Sequence, residues 1–260
     1  MAEKKILIIA EGSTEKIFIN KLFELFYAGD ASIFLLKTNI YRLYQYYESY
    51  KQPYSDLDLK NVLLEKVKNL TDQDKEKLLC ENYSETLLIF DWDPQDPLFG
   101  AEKLKKLMTH FNDSSDYGRL YINYPMVESF RHIDRVCYET GKEDQAFEQR
   151  TFDLKDLSQY KSRVDKEGFR FTTSILKMPM KQDECNVLRQ KVALVINQHF
   201  KKTAKLANVD LDDAVTQTAF NSLLETQCEK LLLCSEAFIV NTSCLIIPEL
   251  YLSNFRKYLK

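Results

Sequence analysis

The sequence predicts an α/β fold: a mostly parallel sheet flanked by helices, with a helical insertion and a helix-rich C-terminal part. Three observations carry this. Short, unbroken apolar runs such as KILIIA (5–10) and LLIF (87–90) read as strands buried on both faces. The early strands alternate with segments of 3.6-residue period, the pattern of a parallel sheet with crossover helices. Beyond about residue 140 that alternation gives way to amphipathic helices.

In chain order, KILIIA is the first strand. EGST follows, with Gly12 as the turn and Ser13 or Thr14 as the cap of a helix running to about Tyr27. ASIFLLKT (31–38) is the second strand. A tyrosine-rich stretch and a charged helical segment (56–79) come next. ETLLIFDWD (85–93) is the third strand, AEKLKKLMTHF (101–111) a helix, GRLYINYP (118–125) the fourth strand, and 126–139 a helix. In the second half, 153–168 reads as an exposed helix. Residues 185–200 form an amphipathic helix with Cys185, Leu188, Val192, Val195, Ile196 and His199 on one face. A further helix covers 219–233, AFIVNTSCLII (237–247) reads as a late strand, and 248–259 as a closing helix. The expected domains are a core over 1–138, with an insertion at about 41–82, and a mainly helical region over 139–260. There is no internal repeat and no low-complexity tract.

Composition narrows the function class. The chain has 260 residues, enough for a sizeable core, and its formal net charge of −3 gives no general case for a polyanion partner. None of the six cysteines forms a CxxC pair, which argues against a zinc ribbon and for a reduced, cytoplasmic protein. The run KKILIIA is too short for a signal segment and meets Glu11 at once. No apolar stretch approaches the roughly 18 residues that span a membrane.

The informative feature is acidic. In open α/β sheets ligands collect at the carboxyl ends of strands. Glu11 ends the first strand; Asp91 and Asp93 end the third, and strand alternation points both to one face. Glu15 follows Glu11 by four residues, and Glu128 lies just after the fourth strand. Carboxylates converging on one edge repel each other unless a cation lies between them. Hard oxygen ligands suit Mg²⁺ or Mn²⁺, and two such ions about 4 Å apart can serve both oxygens of a phosphodiester displacement.

ILIIAEGSTEKIF followed by LLIFDWD resembles the TOPRIM domain, marked by a strand-ending Glu-Gly and a later strand-ending Asp-x-Asp, over roughly residues 5–135. EGSTE is most similar to the overcoming-lysogenization-defect type and its phage-defence relatives. There, a second acid four residues after the first joins the metal site. The resemblance implies a metal-dependent nuclease cutting DNA or RNA, tRNA included, with two Mg²⁺ or Mn²⁺ ions. Its metal ligands would be Glu11, Glu15, Asp91 and Asp93, with Glu128 a further one. Glu11, Asp91 and Asp93 would be catalytic. A downstream lysine also takes part in such nucleases, and Lys177 and Lys181 are the candidates. Roughly 75 residues separate Glu15 from Asp91, which predicts the insertion. No GxxxxGK[ST] signature is present. The chain therefore looks like the free-standing kind, which acts beside a separate ABC-type ATPase in antiviral defence. The zinc-finger cysteines of many primases and recombination proteins are lacking, and a topoisomerase needs a much longer chain.

Each acid also has a plain structural reading, as a strand-end, turn or first-turn residue. Six tyrosines between 41 and 54, with Arg42 and Lys51, could stack bases but more often pack a helix. Lys201, Lys202 and Lys205 are candidate phosphate contacts or a solvated helix end. His132, one turn after Glu128, reads as structural before catalytic. Two other functions compete. One is a haloacid-dehalogenase-type phosphatase with Asp91 as nucleophile and Asp93 as acid/base, although Gln95 stands where that family wants Thr or Val. The other is a non-catalytic interaction subunit that docks or dimerises through the helical half.

Overall fold

A computed structural model describes residues 5–27, 30–68, 70–80, 82–170 and 182–259. By contact density the chain forms two compact units, one of residues 1–17 and 28–122, the other of residues 18–27 and 123–260. The class is mixed α/β, with a mostly parallel sheet flanked by helices.

The first unit holds a five-stranded sheet of order β2-β1-β3-β5-β4, made of β1 (Lys5–Ala10), β2 (Asp30–Leu35), β3 (Glu85–Asp91), β4 (Asn112–Asp113) and β5 (Gly118–Asn123). β1 runs parallel to both β2 and β3, and β4 antiparallel to β5. Every residue from Ile6 to Ala10 and from Leu87 to Phe90 is fully buried. That is why these runs show no alternation: both faces of the strand are covered.

Helix α1 (Ser13–Phe26) starts in this unit and continues into the other. The expected insertion is helical: α2 (Ile40–Glu48), α3 (Leu59–Lys66) and α4 (Asp72–Cys80), followed after β3 by α5 (Ala101–His110). α2 and α3 begin where a short acceptor side chain caps them, Asn39 accepting Arg42 N–H at 3.1 Å and Asp58 accepting Asn61 N–H at 2.9 Å. Tyr41, Tyr47 and Tyr54 are buried, and Tyr47 packs edge-on against Tyr54 and Phe111. These three tyrosines are core packing.

The second unit contains α6 (Arg135–Thr140), α7 (Tyr160–Glu167), the long α8 (Gln182–Ala207), α9 (Gln217–Cys234) and α10 (Ile246–Arg256), with a small antiparallel pair, β6 (Thr151–Asp153) and β7 (Glu236–Phe238). Leu188, Val192, Val195, Ile196 and His199 of α8 are buried as their spacing predicts, and Cys185 is half-buried. None of the described helices is long and apolar enough to cross a membrane.

Several element readings change. The fourth strand stops at Asn123, two residues short of Pro125, and the helix expected over 153–168 opens as a 3₁₀ turn (Leu154–Gln159) before α7. The third strand stops at Asp91, two residues short of Asp93. The helix expected over 126–139 divides into a 3₁₀ turn (Val127–Arg131) and α6, because Asp134 caps a new start by accepting Cys137 N–H at 2.9 Å. The late strand expected over 237–247 shrinks to β7. β7 ends at Phe238, and beyond it Asn241 turns the chain: its Oδ1 accepts Cys244 N–H at 2.9 Å and Ser243 O–H at 3.0 Å, and the apolar run continues as a 3₁₀ turn and then α10.

Candidate functional site

The order β2-β1-β3 makes the gap between β1 and β3 a topological switch point. The chain leaves β1 toward β2 on one side and returns as β3 on the other. Ligands of such sheets bind outside the strand ends at this place.

Glu11 is held there by main-chain bonds to both neighbours. Its N–H donates to Ile89 of β3 at 3.2 Å, and its carbonyl accepts Lys37 N–H at 2.9 Å just past β2. Its carboxylate turns to β3, where Oε2 accepts Asp91 N–H in a long bond of 3.4 Å. Glu15, in the first turn of α1, is 5% exposed. Its Oε2 accepts Gly12 N–H at 2.8 Å. Glycine makes that approach easy, since a Cβ at position 12 would stand 3.2 Å from the same oxygen. Asp91 is half-buried at the end of β3.

Asp93 is placed by a different device. Trp92 is fully buried, sits edge-on to Phe99 at 5.9 Å, and its carbonyl accepts the Tyr41 hydroxyl. The chain then leaves the strand: Asp93 has φ +43°, in the left-handed region that costs a non-glycine residue energy. Its carbonyl accepts Asp96 N–H at 3.0 Å, closing a turn. The expectation that strand alternation puts both acids of DWD on one face is therefore corrected; a turn pinned by a buried tryptophan positions the second acid. Burial first, and the nearby Asp96 charge second, push the Asp93 carboxyl above the ordinary carboxylate range.

Asp96 and Asn39 are the residues that sequence reasoning undervalued. Asp96 Oδ1 accepts Leu98 N–H at 2.6 Å within the turn, and Oδ2 accepts Asn39 Nδ2 at 2.5 Å. Asn39 thus caps α2 and ties that helix start to the acidic loop. The cap was visible as Asn before a helix; its link across 57 residues was not.

The other predicted residues lie in the second unit. Glu128, 8% exposed in the 3₁₀ turn, pairs through Oε1 with Lys161 at 3.1 Å, while its buried Oε2 has no hydrogen-bond partner. His132 is buried between the Tyr160 hydroxyl at 3.1 Å and Glu167 at 3.0 Å. Burial outweighs Glu167 and holds its imidazole down at about 4, neutral at physiological pH. Lys201 pairs with Glu143 at 2.6 Å and Lys205 with Glu148 at 2.5 Å. Lys202 is 1% exposed and donates to the Phe147 and Arg150 carbonyls, each at 2.8 Å. This buried ammonium presents no face to a polyanion, so the expected trio of phosphate contacts is not an open basic row. Lys177 and Lys181 lie outside the described residues.

The chemistry of the strand-end donors, all carboxylate oxygens, fits a hard divalent cation. Their arrangement is not a closed cage: among the described residues no three His, Cys, Asp or Glu side chains stand together as an ion-holding group. What the edge offers is Glu11 against Asp91, Glu15 folded onto Gly12, and Asp93 in a strained turn beside Asp96. No family model, no curated protein and no solved structure matches the chain.

Proposed function

We propose that the chain is a TOPRIM-type, divalent-metal-dependent nuclease that hydrolyses nucleic-acid phosphodiesters. The carrying observation is that Glu11 and Asp91 meet at the β1/β3 switch point, on adjacent parallel strands, where open α/β sheets take their ligands. Glu11, Glu15, Asp91 and Asp93 would hold Mg²⁺ or Mn²⁺ there. When bound, the metal supplies charge neutralisation and an activated water. The residues' own part is orientation: β1 and β3 set Glu11 beside Asp91, Gly12 draws Glu15 over the strand end, and the Trp92 anchor fixes the turn that carries Asp93. The raised Asp93 carboxyl is what an acid kept short of a counter-cation would show. Glu128 as a further ligand, an ABC-type ATPase partner and a role in antiviral defence rest on the family resemblance.

A second reading has one observation in its favour. Glu11 and Glu15 each already accept a main-chain N–H, so the strand end is satisfied as it stands. That suits a non-catalytic interaction subunit of the same fold.

Calorimetric titration of wild type, Glu11→Gln and Asp91→Ala with Mn²⁺, together with a cleavage screen over plasmid, single-stranded DNA and tRNA, decides between them. The nuclease reading expects saturable binding and cleavage that both variants lose. Cleavage that persists in both variants would sink the assignment of these residues. Absence of binding and of cleavage, with and without a partner ATPase, would leave the interaction subunit.

A further inference from the structure

Five of the described non-glycine residues hold a left-handed backbone, and two of them stand at the carboxyl edge of the sheet. Asp93 lies past β3. The other is Lys37, with φ +57°, just past β2. That region costs a side chain energy, and such residues gather at functional sites, where the surrounding structure over-determines the backbone. Lys37 is tied to the strand-end acids through its main chain. Leu36 N–H donates to the Ala10 carbonyl and Lys37 N–H to the Glu11 carbonyl, each at 2.9 Å. The parallel register places Ala10 opposite Leu35 of β2 and opposite Ile89 of β3. Carried two residues further, it sets Lys37 and Asp91 on opposite sides of Gly12. The turn after β1 thus has a carboxylate on one flank and an exposed lysine on the other. Within the fold the lysine's charge reaches Asp74 of α4, but the Thr71 hydroxyl chiefly holds that carboxyl low and Lys37 is the smallest of the causes.

Charge counting shows what a cation in this place would do. Four carboxylates, Glu11, Glu15, Asp91 and Asp93, balance two divalent ions. A phosphodiester then brings one further negative charge that neither set offsets. Hydrolysis builds more charge on its non-bridging oxygens, and a fixed cation beside them is what stabilises that change. Lysine suits the task, as a compact charge on a flexible stem.

We propose that Lys37 binds a non-bridging oxygen of the substrate phosphodiester beside Gly12, facing the acids across the end of β1. The inference rests on the nuclease reading. It assigns the cationic role to the end of β2 rather than to Lys177 or Lys181.

The test compares Lys37→Gly, Lys37→Arg and Lys51→Gly with wild type. Lys51 shares the left-handed conformation, with φ +53°, past the end of α2, and so controls for the backbone. Glycine adopts such φ values freely, so both glycine variants should fold and melt close to wild type. Two measurements are made. One is cleavage of plasmid, single-stranded DNA and tRNA with Mn²⁺. The other is fluorescence anisotropy of labelled oligo(dT) and tRNA with Ca²⁺ over a salt series. Lys37→Gly should lower kcat about a hundredfold or more. It should also flatten the slope of log K against log salt by about 0.7, the share of one phosphate contact on a single strand. Lys37→Arg should keep the slope, and Lys51→Gly should change neither measurement. Full cleavage by Lys37→Gly overturns the inference and leaves the nuclease reading standing. Equal losses in Lys37→Gly and Lys51→Gly trace to the backbone and overturn it too. If wild type cleaves no substrate, with or without a partner ATPase, the nuclease reading falls and the salt series decides. A slope equal in wild type and Lys37→Gly then overturns the role of Lys37, and a flatter one in the variant upholds it as a phosphate contact. A wild type that neither cleaves nor binds overturns both.

Discussion

Replacing Lys202 with methionine should stabilise the protein below neutral pH and flatten its pH dependence above it. The lysine sits with a pKa of about 7 in the folded chain against an ordinary 10.5. At about 1.4 kcal/mol per pH unit, that displacement is worth about 5 kcal/mol. The sign follows from proton counting. Between pH 7 and 10.5 the unfolded chain holds a proton that the folded chain lacks, so wild-type stability rises with pH across that window. Below pH 7 the folded state carries the whole cost of a buried ammonium. Methionine removes the charge at similar length and leaves no carbonyl orphaned. Phe147 O still accepts Arg150 N–H at 3.1 Å, and Arg150 O still accepts Ile239 N–H at 3.2 Å. Part of the gain is offset by the two lost charge-assisted bonds, leaving about 2 kcal/mol in favour of methionine at pH 6. Urea unfolding of both proteins at pH 6, 7.5 and 9 measures this. The wild type should gain stability over that series while Lys202→Met does not, so that the variant's advantage shrinks or reverses by pH 9. Parallel pH profiles, or a variant much weaker than wild type at pH 6, would refute the reasoning. Nucleic-acid binding by wild type, if observed, should survive in the variant, because a buried lysine makes no phosphate contact.

Other predictions follow from single contacts. Gly12→Ala places a Cβ 3.2 Å from Glu15 Oε2, so it should cost about 1 kcal/mol by denaturant titration and lower Mn²⁺ affinity by calorimetry. Asp93→Asn relieves a carboxylate held unfavourably charged by burial and by Asp96; the raised pKa means that protonation favours the fold, so this variant should melt higher than wild type at pH 7 and above while losing cleavage. An unchanged or lower Tm there would remove the strain argument. Gly168→Ala would set a Cβ 2.1 Å from the Arg131 carbonyl and 2.8 Å from that of Val164, a collision with backbone rather than a movable side chain. It should cost about 3 kcal/mol or more, or yield no folded protein, as circular dichroism would show. Asn241→Ala removes the acceptor of Cys244 N–H and Ser243 O–H and the donor to Val127 O, and should cost about 3 kcal/mol in urea titration.

Much of the architecture was legible in neighbouring residues. KILIIA and LLIF announce strands covered on both faces because an unbroken apolar run has only one such place to go. The α8 face from Leu188 to His199 was legible for the same kind of reason, since a helix must bury the stripe its period creates. Glu11 at the end of β1 and Asp91 at the end of β3 followed from where those runs stop. Asn241 shows the limit of that reading. AFIVNTSCLII has the composition of a strand, and a single side chain bonding its own backbone turned its last five residues into a helix start.

What only the tertiary structure decided has a common cause: each depends on groups far apart in sequence. Whether Glu11 approaches Asp91 depends on β1 and β3 being neighbours in the sheet, which no local pattern states. Asp93 takes a left-handed turn because Trp92 is buried and Tyr41, 51 residues away from it, bonds its carbonyl. Lys201, Lys202 and Lys205 are three similar lysines on one helix, and their sequence gives no reason to separate them. The turn at 143–150 does so, supplying acids to two and carbonyls to the third. Burial is a property of the whole packed chain, and a lysine's charge, reach and partners change with it; the sequence names the groups, and the packing sets their chemistry.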